Sequence, residues 1–437
     1  MPIGVDEWVA QHTDRQDAGT GWRRWLFVAQ ARVGWWQWWG LALLAGLIFG
    51  QLGLNSNIQT VAVNCLIYAI LAVGLNVAAG WAGLLDLGYV AFFGFGAYGY
   101  AIFSSDALGS GGSGGTHLPA IATFAIVLAA AGVFGAGIGL STLRVSGDYL
   151  AIVTLFVGQA FVEFVNNVDP GTLGGVNGLY GLDPVHGFGG QISSVNGYFY
   201  LALLCTAGLL ALIHLLDQSR TGRAWRALRE DELAAEAMTI PVGPLKVMAI
   251  TFGAIVGALA GAIFAAQQDS VFPTNFSENI LILIYACLVL GGSGSIAGAV
   301  LGGIVVTAGE QIVSSPTDAG YLFYGLILLA LLVKVRPWRK LGAVLAGTIV
   351  LGVVLRLIVG AISASATAGH AGSGGFIGSI VGHWVIVPAD AASYGNVLYI
   401  ALICLAFALM RSSERVRAWL LAPTLYVAAC CWESRLI

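Results

Sequence analysis

Apolar residues in this 437-residue chain gather in long unbroken runs, separated by short polar or Gly-rich segments. Crossing a hydrocarbon core about 30 Å thick takes roughly 20 apolar residues in a helix. Such runs fall near 36–54, 58–80, 84–104, 118–141, 148–166, 198–217, 247–267, 280–291, 297–313, 321–335, 341–362 and 394–410. The pattern predicts an all-α polytopic membrane protein with ten to twelve spans. The run at 280–291 is short for a crossing and reads as half of a broken helix, joined to 297–313 through Gly291-Gly292-Ser293-Gly294. A membrane β-barrel would show short alternating segments, which these runs do not resemble.

Composition excludes the soluble alternative. Only 9% of residues are charged and 58% are hydrophobic, against roughly 25% charged in an ordinary soluble domain. Gly is abundant at 61 and Pro is only 11, which suits close helix approach in lipid, where small residues form the interfaces. A net charge of −3 leaves no basic field for nucleic acid. Cys65, Cys205, Cys287 and Cys404 fall in apolar runs, and Cys430 and Cys431 are adjacent. None has zinc-site spacing, so neither a metal site nor a disulfide framework is indicated.

Orientation follows Lys and Arg. With twelve spans, Arg15, Arg23, Arg24, Arg32, Arg144, the group Arg220 to Lys246, Lys334 to Lys340, and Arg411 to Arg435 all fall on one side. Loops 104–117, 168–197, 268–279, 314–320 and 363–393 contain no Lys or Arg. Both termini are therefore expected in the cytoplasm. Residues 1–35 read as a cytosolic tail ending at the aromatic anchor Trp35, Trp36, Trp38 and Trp39. Segment 109–115 (GSGGSGG) reads as a flexible loop tip, and 418–431, interrupted by Pro423, as an interfacial helix.

Neither a Walker loop nor an HExxH motif occurs. Intramembrane ionisable groups are functional candidates by default, because a charge in lipid is costly. Asp86 sits in the Gly-rich stretch Trp81–Tyr100, while Glu163, Glu310 and Arg356 lie towards span ends, where snorkelling to water is the simpler reading. Gly253, Gly257 and Gly261 make a GxxxGxxxG face, a helix-packing seam. The sizeable loop 218–246 predicts one amphipathic helix over Arg223–Met238. Thr221 is its N-cap, Ala224, Trp225, Leu228, Ala235 and Met238 its apolar side, and Pro241 and Pro244 its stop. Such a helix either lies in the lipid interface or docks into a partner's groove.

Three stretches resemble the branched-chain amino acid ABC permeases of the LivM type. They are Gly80–Tyr98 (GWAGLLDLGYVAFFGFGAY), Leu143–Leu179 (LRVSGDYLAIVTL, then Asn166-Asn167 and GGVNGL), and Ser219–Ile240, followed by ALAGAIFA and LVLGGSGSIAGAVLGG. The resemblance covers roughly residues 58–340 and ends on YGLILLALLVKVRPW. There are departures. The family's loop pattern, Glu-Ala-Ala-x-x-x-Gly, is here Leu233-Ala234-Ala235 with Thr239 in place of Gly. Gly158-Gln159 and Val162 stand where the family commonly has Gly-Glu…Arg.

The resemblance implies a permease domain over 36–340, with a coupling loop at 218–246 and an extension at 341–437. It implies a second homologous permease, two cytosolic ATP-binding subunits that hold the ATP, and an extracytoplasmic solute-binding protein, in a bacterial plasma membrane. Arg229, Glu230, Asp231, Glu232, Ala234, Ala235 and Glu236 are then expected at the ATPase, with Ala234 and Ala235 at closest approach. The solute path is expected near Asp86, Gly88, Tyr89, Asn166 and Asn177, where Gly lets backbone approach a ligand and Asn offers neutral donors and acceptors. Urea or a short amide would use the same layout. An ion-coupled secondary transporter would instead put acids near the midplane of broken helices.

Overall fold

The structure, a computed structural model, describes residues 35–51, 56–105 and 117–314 except Arg144, Ser146, 169–172, 188–189 and Ser193, then 338–362, 423–430 and isolated positions besides. The tail, the loop 109–115 and, apart from isolated positions, the runs 321–335 and 394–410 lie outside the described residues. The helices are α1 (Trp35–Gln51), α2 (Ser56–Leu75, continued by a π-helical turn Asn76–Trp81), α3 (Tyr89–Phe103), α4 (Ala120–Ser141), α5 (Asp148–Asn167), α6 (Val195–Gln218), α7 (Arg220–Glu230), α8 (Glu232–Ala237), α9 (Val242–Gln268), α10 (Glu278–Gly291), α11 (Ile296–Ser314) and α12 (Trp338–Ile362). Among the described residues, seven helices are long and apolar enough to cross a membrane. The chain is a multi-pass membrane protein.

Residue contacts divide the chain into Met1–Thr307 and Ala308–Ile437. In the first unit, α2 and α9 are mostly buried, whereas α4, α5 and α6 turn most of their length outward. Lipid supplies no hydrophobic drive between helices, so the core depends on close van der Waals contact. Gly253, Gly257 and Gly261 provide it against α3. A Cβ on Gly257 would stand 3.1 Å from Phe92 Cβ, and one on Gly261 would overlap the Phe93 carbonyl. Gly96 of α3 answers, since a Cβ there would overlap the Ala258 backbone. On another side of α9, Gly139 of α4 approaches Val247 Cα, and a Cβ there would be 3.1 Å away. In the second unit, Val385, Tyr426, Ala429 and Cys430 pack with Leu351 and Leu355 of α12.

The segment read as one broken helix is instead a hairpin. Gly292 (φ 94°) and Gly294 (φ 93°) turn the chain between α10 and α11. Gly298 then lies on Gly291 and Gly302 on Cys287, so the two helices run back along each other. Positive φ suits Gly, which has no Cβ to clash. At the far end of the bundle, two-residue ladders join the loops. β1 (Leu179–Tyr180) pairs antiparallel with β4 (Ser270–Val271), and β2 (His186–Gly187) with β3 (Gly190–Gln191). Ladders that short leave no period in the sequence.

Candidate coupling site

The basic segment between α6 and α9 is two helices, not one. Ser219 is extended, and its Oγ accepts from the Gly222 N–H at 3.2 Å, so it caps α7 in place of Thr221. Asp231 is extended (φ −159°, ψ 114°) and ends α7. Its Oδ1 accepts from the Leu233 N–H (2.9 Å) and the Ala234 N–H (3.0 Å), opening α8. A carboxylate satisfies N–H groups that have no partner within the helix, and its charge suits the helix start. α8 closes in a Schellman turn: the Ile240 N–H donates to the Ala235 carbonyl (3.1 Å) and the Thr239 N–H to the Glu236 carbonyl (3.0 Å). Thr239 itself takes the left-handed conformation (φ 64°).

The break resets which side faces in. Trp225 is fully buried, and its Nε1–H donates to the Leu245 carbonyl at 2.9 Å, where α9 begins. Leu228 and Ala235 are buried as well, with Ala235 only 4% exposed. Ala235 therefore packs into its own chain, which corrects the expectation that it meets another subunit at closest approach. Leu233 is 78% exposed and Met238 75%, with Ala234 and Glu236 also exposed. Met238, grouped by periodicity with Trp225, points away because the period does not continue through Asp231. Glu232 Oε1 pairs with Lys246 Nζ at 2.5 Å, so its charge is met within the chain. Glu230 is exposed.

Behind this segment three stretches converge. The Trp225 and Trp81 rings stand 6.4 Å apart, and the Trp81 Nε1–H donates to the Gly294 carbonyl at 3.1 Å. Asn76, 1% exposed in the π-turn, accepts from the Gly294 N–H (2.7 Å) and donates to the Ser295 carbonyl (3.3 Å). Any Cβ on Gly80 would collide with Asn76 Oδ1. Arg229 Nη1 donates to the Gly80 carbonyl at 2.5 Å, and its stem crosses Gly83 (φ 70°), where a Cβ would be 3.1 Å from Arg229 Cγ. Arg229, expected at a partner, is thus engaged within the chain. The buried polar groups of this junction find backbone partners, as groups withdrawn from water must.

The residues expected along a solute path are not brought together. Asp86 is buried; its Oδ1 accepts from the Gly88 N–H (3.0 Å) and its carbonyl from Tyr285 Oη–H (2.8 Å). It holds the turn into α3. Gly88 presses on the Thr154 backbone of α5, and Tyr89 is wholly buried in the core beside Gly253 and Gly257. Asn166 is half-buried at the far end of α5, and Asn177 is exposed on the 3₁₀ turn Gly175–Asn177. Gly88 also faces Gly158, so Asn166 stands roughly 12 Å further along α5 at 1.5 Å per residue.

Sequence reasoning missed a polar stripe on the outward side of α5. Gln159 Nε2 donates to Glu278 Oε1 at the start of α10, and Asn167 Nδ2 donates to Glu163 Oε2 at 3.2 Å. Glu163, Asn167 and Glu278 are exposed, among outward Ile152, Phe156 and Phe164. The spacing 159, 163, 167 is the i, i+4, i+8 line of one helix face, and that signal was available in the sequence.

The family model for the branched-chain amino acid transport system permease component matches residues 57–332. The high-affinity branched-chain amino acid transport system permease protein LivM of Escherichia coli (strain K12) is 32% identical over 326 residues, 69% of this chain and 73% of that protein. LivM of Salmonella typhimurium gives the same figures. The corresponding LivH of Escherichia coli (strain K12) is 26% identical over 281 residues, 61% of this chain and 89% of that protein. No solved structure matches the chain.

Proposed function

The chain belongs to the family of permease components of branched-chain amino acid transport systems, and from that membership we propose that it is one half of an ATP-driven importer of leucine, isoleucine and valine. It is a transport subunit and performs no bond chemistry. A second, LivH-like permease completes the pathway, two cytosolic subunits bind and hydrolyse ATP, and an extracytoplasmic binding protein delivers the solute. The membrane is the bacterial plasma membrane, with both termini and the α7–α8 segment inside. The observation that carries this reading is the identity to LivM over 326 residues, which includes the loop that folds as α7 and α8.

The exposed side of α8, Leu233, Ala234, Glu236 and Met238, is free to meet an ATPase, as is Glu230. The solute passes along the polar stripe of α5, where carboxylates facing outward from a span need water or protein cover, not lipid. Glu278 meets the path at the level of Gln159, about 12 Å short of the far end of α5. Glu278 and Glu163 suit an ammonium group, and the neighbouring Ile152 and Phe156 suit an aliphatic side chain.

The test is ATP-dependent uptake of labelled leucine by the reconstituted four-part complex. Isoleucine and valine are expected to compete, and urea and acetamide are not. Competition by urea alone would move the chain to the amide branch of the same machine. Glu278→Gln is expected to raise KM for leucine about tenfold, or roughly 1.4 kcal/mol, while Asn177→Ala leaves it unchanged. A thiol placed at Val176, 75% exposed, is expected to react with an impermeant reagent on intact cells.

A further inference from the structure

We propose that Arg229 is the positioning residue through which the α7–α8 segment moves the α10–α11 hairpin. The hairpin turn and the end of α2 form one body, because the backbone groups of Gly294 and Ser295 are taken up by Asn76 and Trp81 of the π-turn. The α7–α8 segment touches that body in two ways. Trp225 meets it through a ring contact with Trp81, which has no direction along the surface. Arg229 meets it through a charged hydrogen bond to the Gly80 carbonyl.

That carbonyl lies in the last turn of the helix formed by α2 and its π-turn, where carbonyls lack intrahelical partners and the helix dipole is negative. The same guanidinium lies against Gly294, whose added Cβ would be 3.0 Å from Arg229 Nη1. One side chain therefore touches both the end of α2 and the hairpin turn. Gly83 makes room for it, since its φ of 70° and missing side chain let the Arg229 stem pass. A planar, multiply donating guanidinium can hold a carbonyl and fill this gap at once, and a lysine ammonium cannot do both.

The inference rests on the importer reading, so the test separates the two. Spin labels are placed at Leu233 on α8 and at Ser293 on the hairpin turn of the reconstituted complex. Their displacement on ATP binding is read together with leucine uptake per ATP hydrolysed. In the native chain both labels are expected to move. In Arg229→Met the label at 233 still moves, the label at 293 does not, and uptake per ATP falls at least tenfold while hydrolysis stays within twofold. Arg229→Lys is expected to restore part of both. If both labels move in Arg229→Met and uptake per ATP is unchanged, the proposal is overturned. A parallel loss of hydrolysis and uptake, with a lower melting temperature, would also overturn it by making Arg229 a structural strut. If neither label moves in the native chain, the importer reading itself falls, and the proposal with it.

Discussion

Two regions of the molecule bring backbones together by opposite means. Between α3 and α9 the chain removes side chains: Gly96, Gly257 and Gly261 let helix backbones touch. At the basic end it adds large and polar side chains: Trp225, Trp81, Asn76 and Arg229 each reach across to a carbonyl or amide of another element. The first kind of contact loses energy with any sliding, because dispersion falls off within fractions of an ångström. The second can hold a partner while the helices around it shift. The seam is therefore suited to a fixed core and the junction to passing on a displacement.

The largest expected effect comes from the junction. Trp225→Ala removes a fully buried indole and leaves the Leu245 carbonyl without its donor, at a cost of about 3–5 kcal/mol. It is expected to lower the melting temperature of the detergent-purified complex sharply. Trp225→Phe keeps most of the packing but leaves the Leu245 carbonyl without its donor, about 1–3 kcal/mol. The seam comes next. Gly261→Val forces a side chain onto the Phe93 carbonyl and is expected to cost about 1–3 kcal/mol or more. Gly208→Ala, with open space around it, is the control and should be neutral. If Gly261→Val is as mild as Gly208→Ala, the rigid half of the comparison fails.

Smaller effects sharpen the boundary of the junction. Asp231→Ala removes the cap of α8 and is expected to cost about 1 kcal/mol. Thr239→Gly should act in the other direction. It relieves a β-branched residue in the left-handed region, a strain of about 1–2 kcal/mol, and so raises the melting temperature. Glu236→Gln, on an exposed side chain, should change stability by no more than about 0.5 kcal/mol.

The sequence shows the spans because lipid imposes their length, and the helix seam because its glycines recur every fourth residue. It also places the basic loop and its apolar side as far as Leu228. Beyond that point periodicity misleads, since Asp231 satisfies N–H groups better as a cap than within a helix. The signal was an acid pair, Asp231-Glu232, where a new helix begins. The roles of Asp86 and Tyr89 were not legible. A buried carboxylate that holds a turn and one that meets a ligand look alike until the Gly88 N–H is seen beside it. The junction itself joins residues more than 140 positions apart, Gly80 with Arg229, and no local pattern records such a contact.

The most direct test is whether the exposed side of α8 makes the proposed ATPase contact. Single cysteines replace Leu233, Ala235 or Met238 in a chain without its native cysteines, and each assembled complex is treated with a short thiol-to-amine crosslinker in membranes. The account predicts crosslinks to the ATPase subunit from Leu233→Cys and Met238→Cys and none from Ala235→Cys. Crosslinking from Ala235→Cys alone, or from none of the three while ATP-driven uptake proceeds, would contradict it.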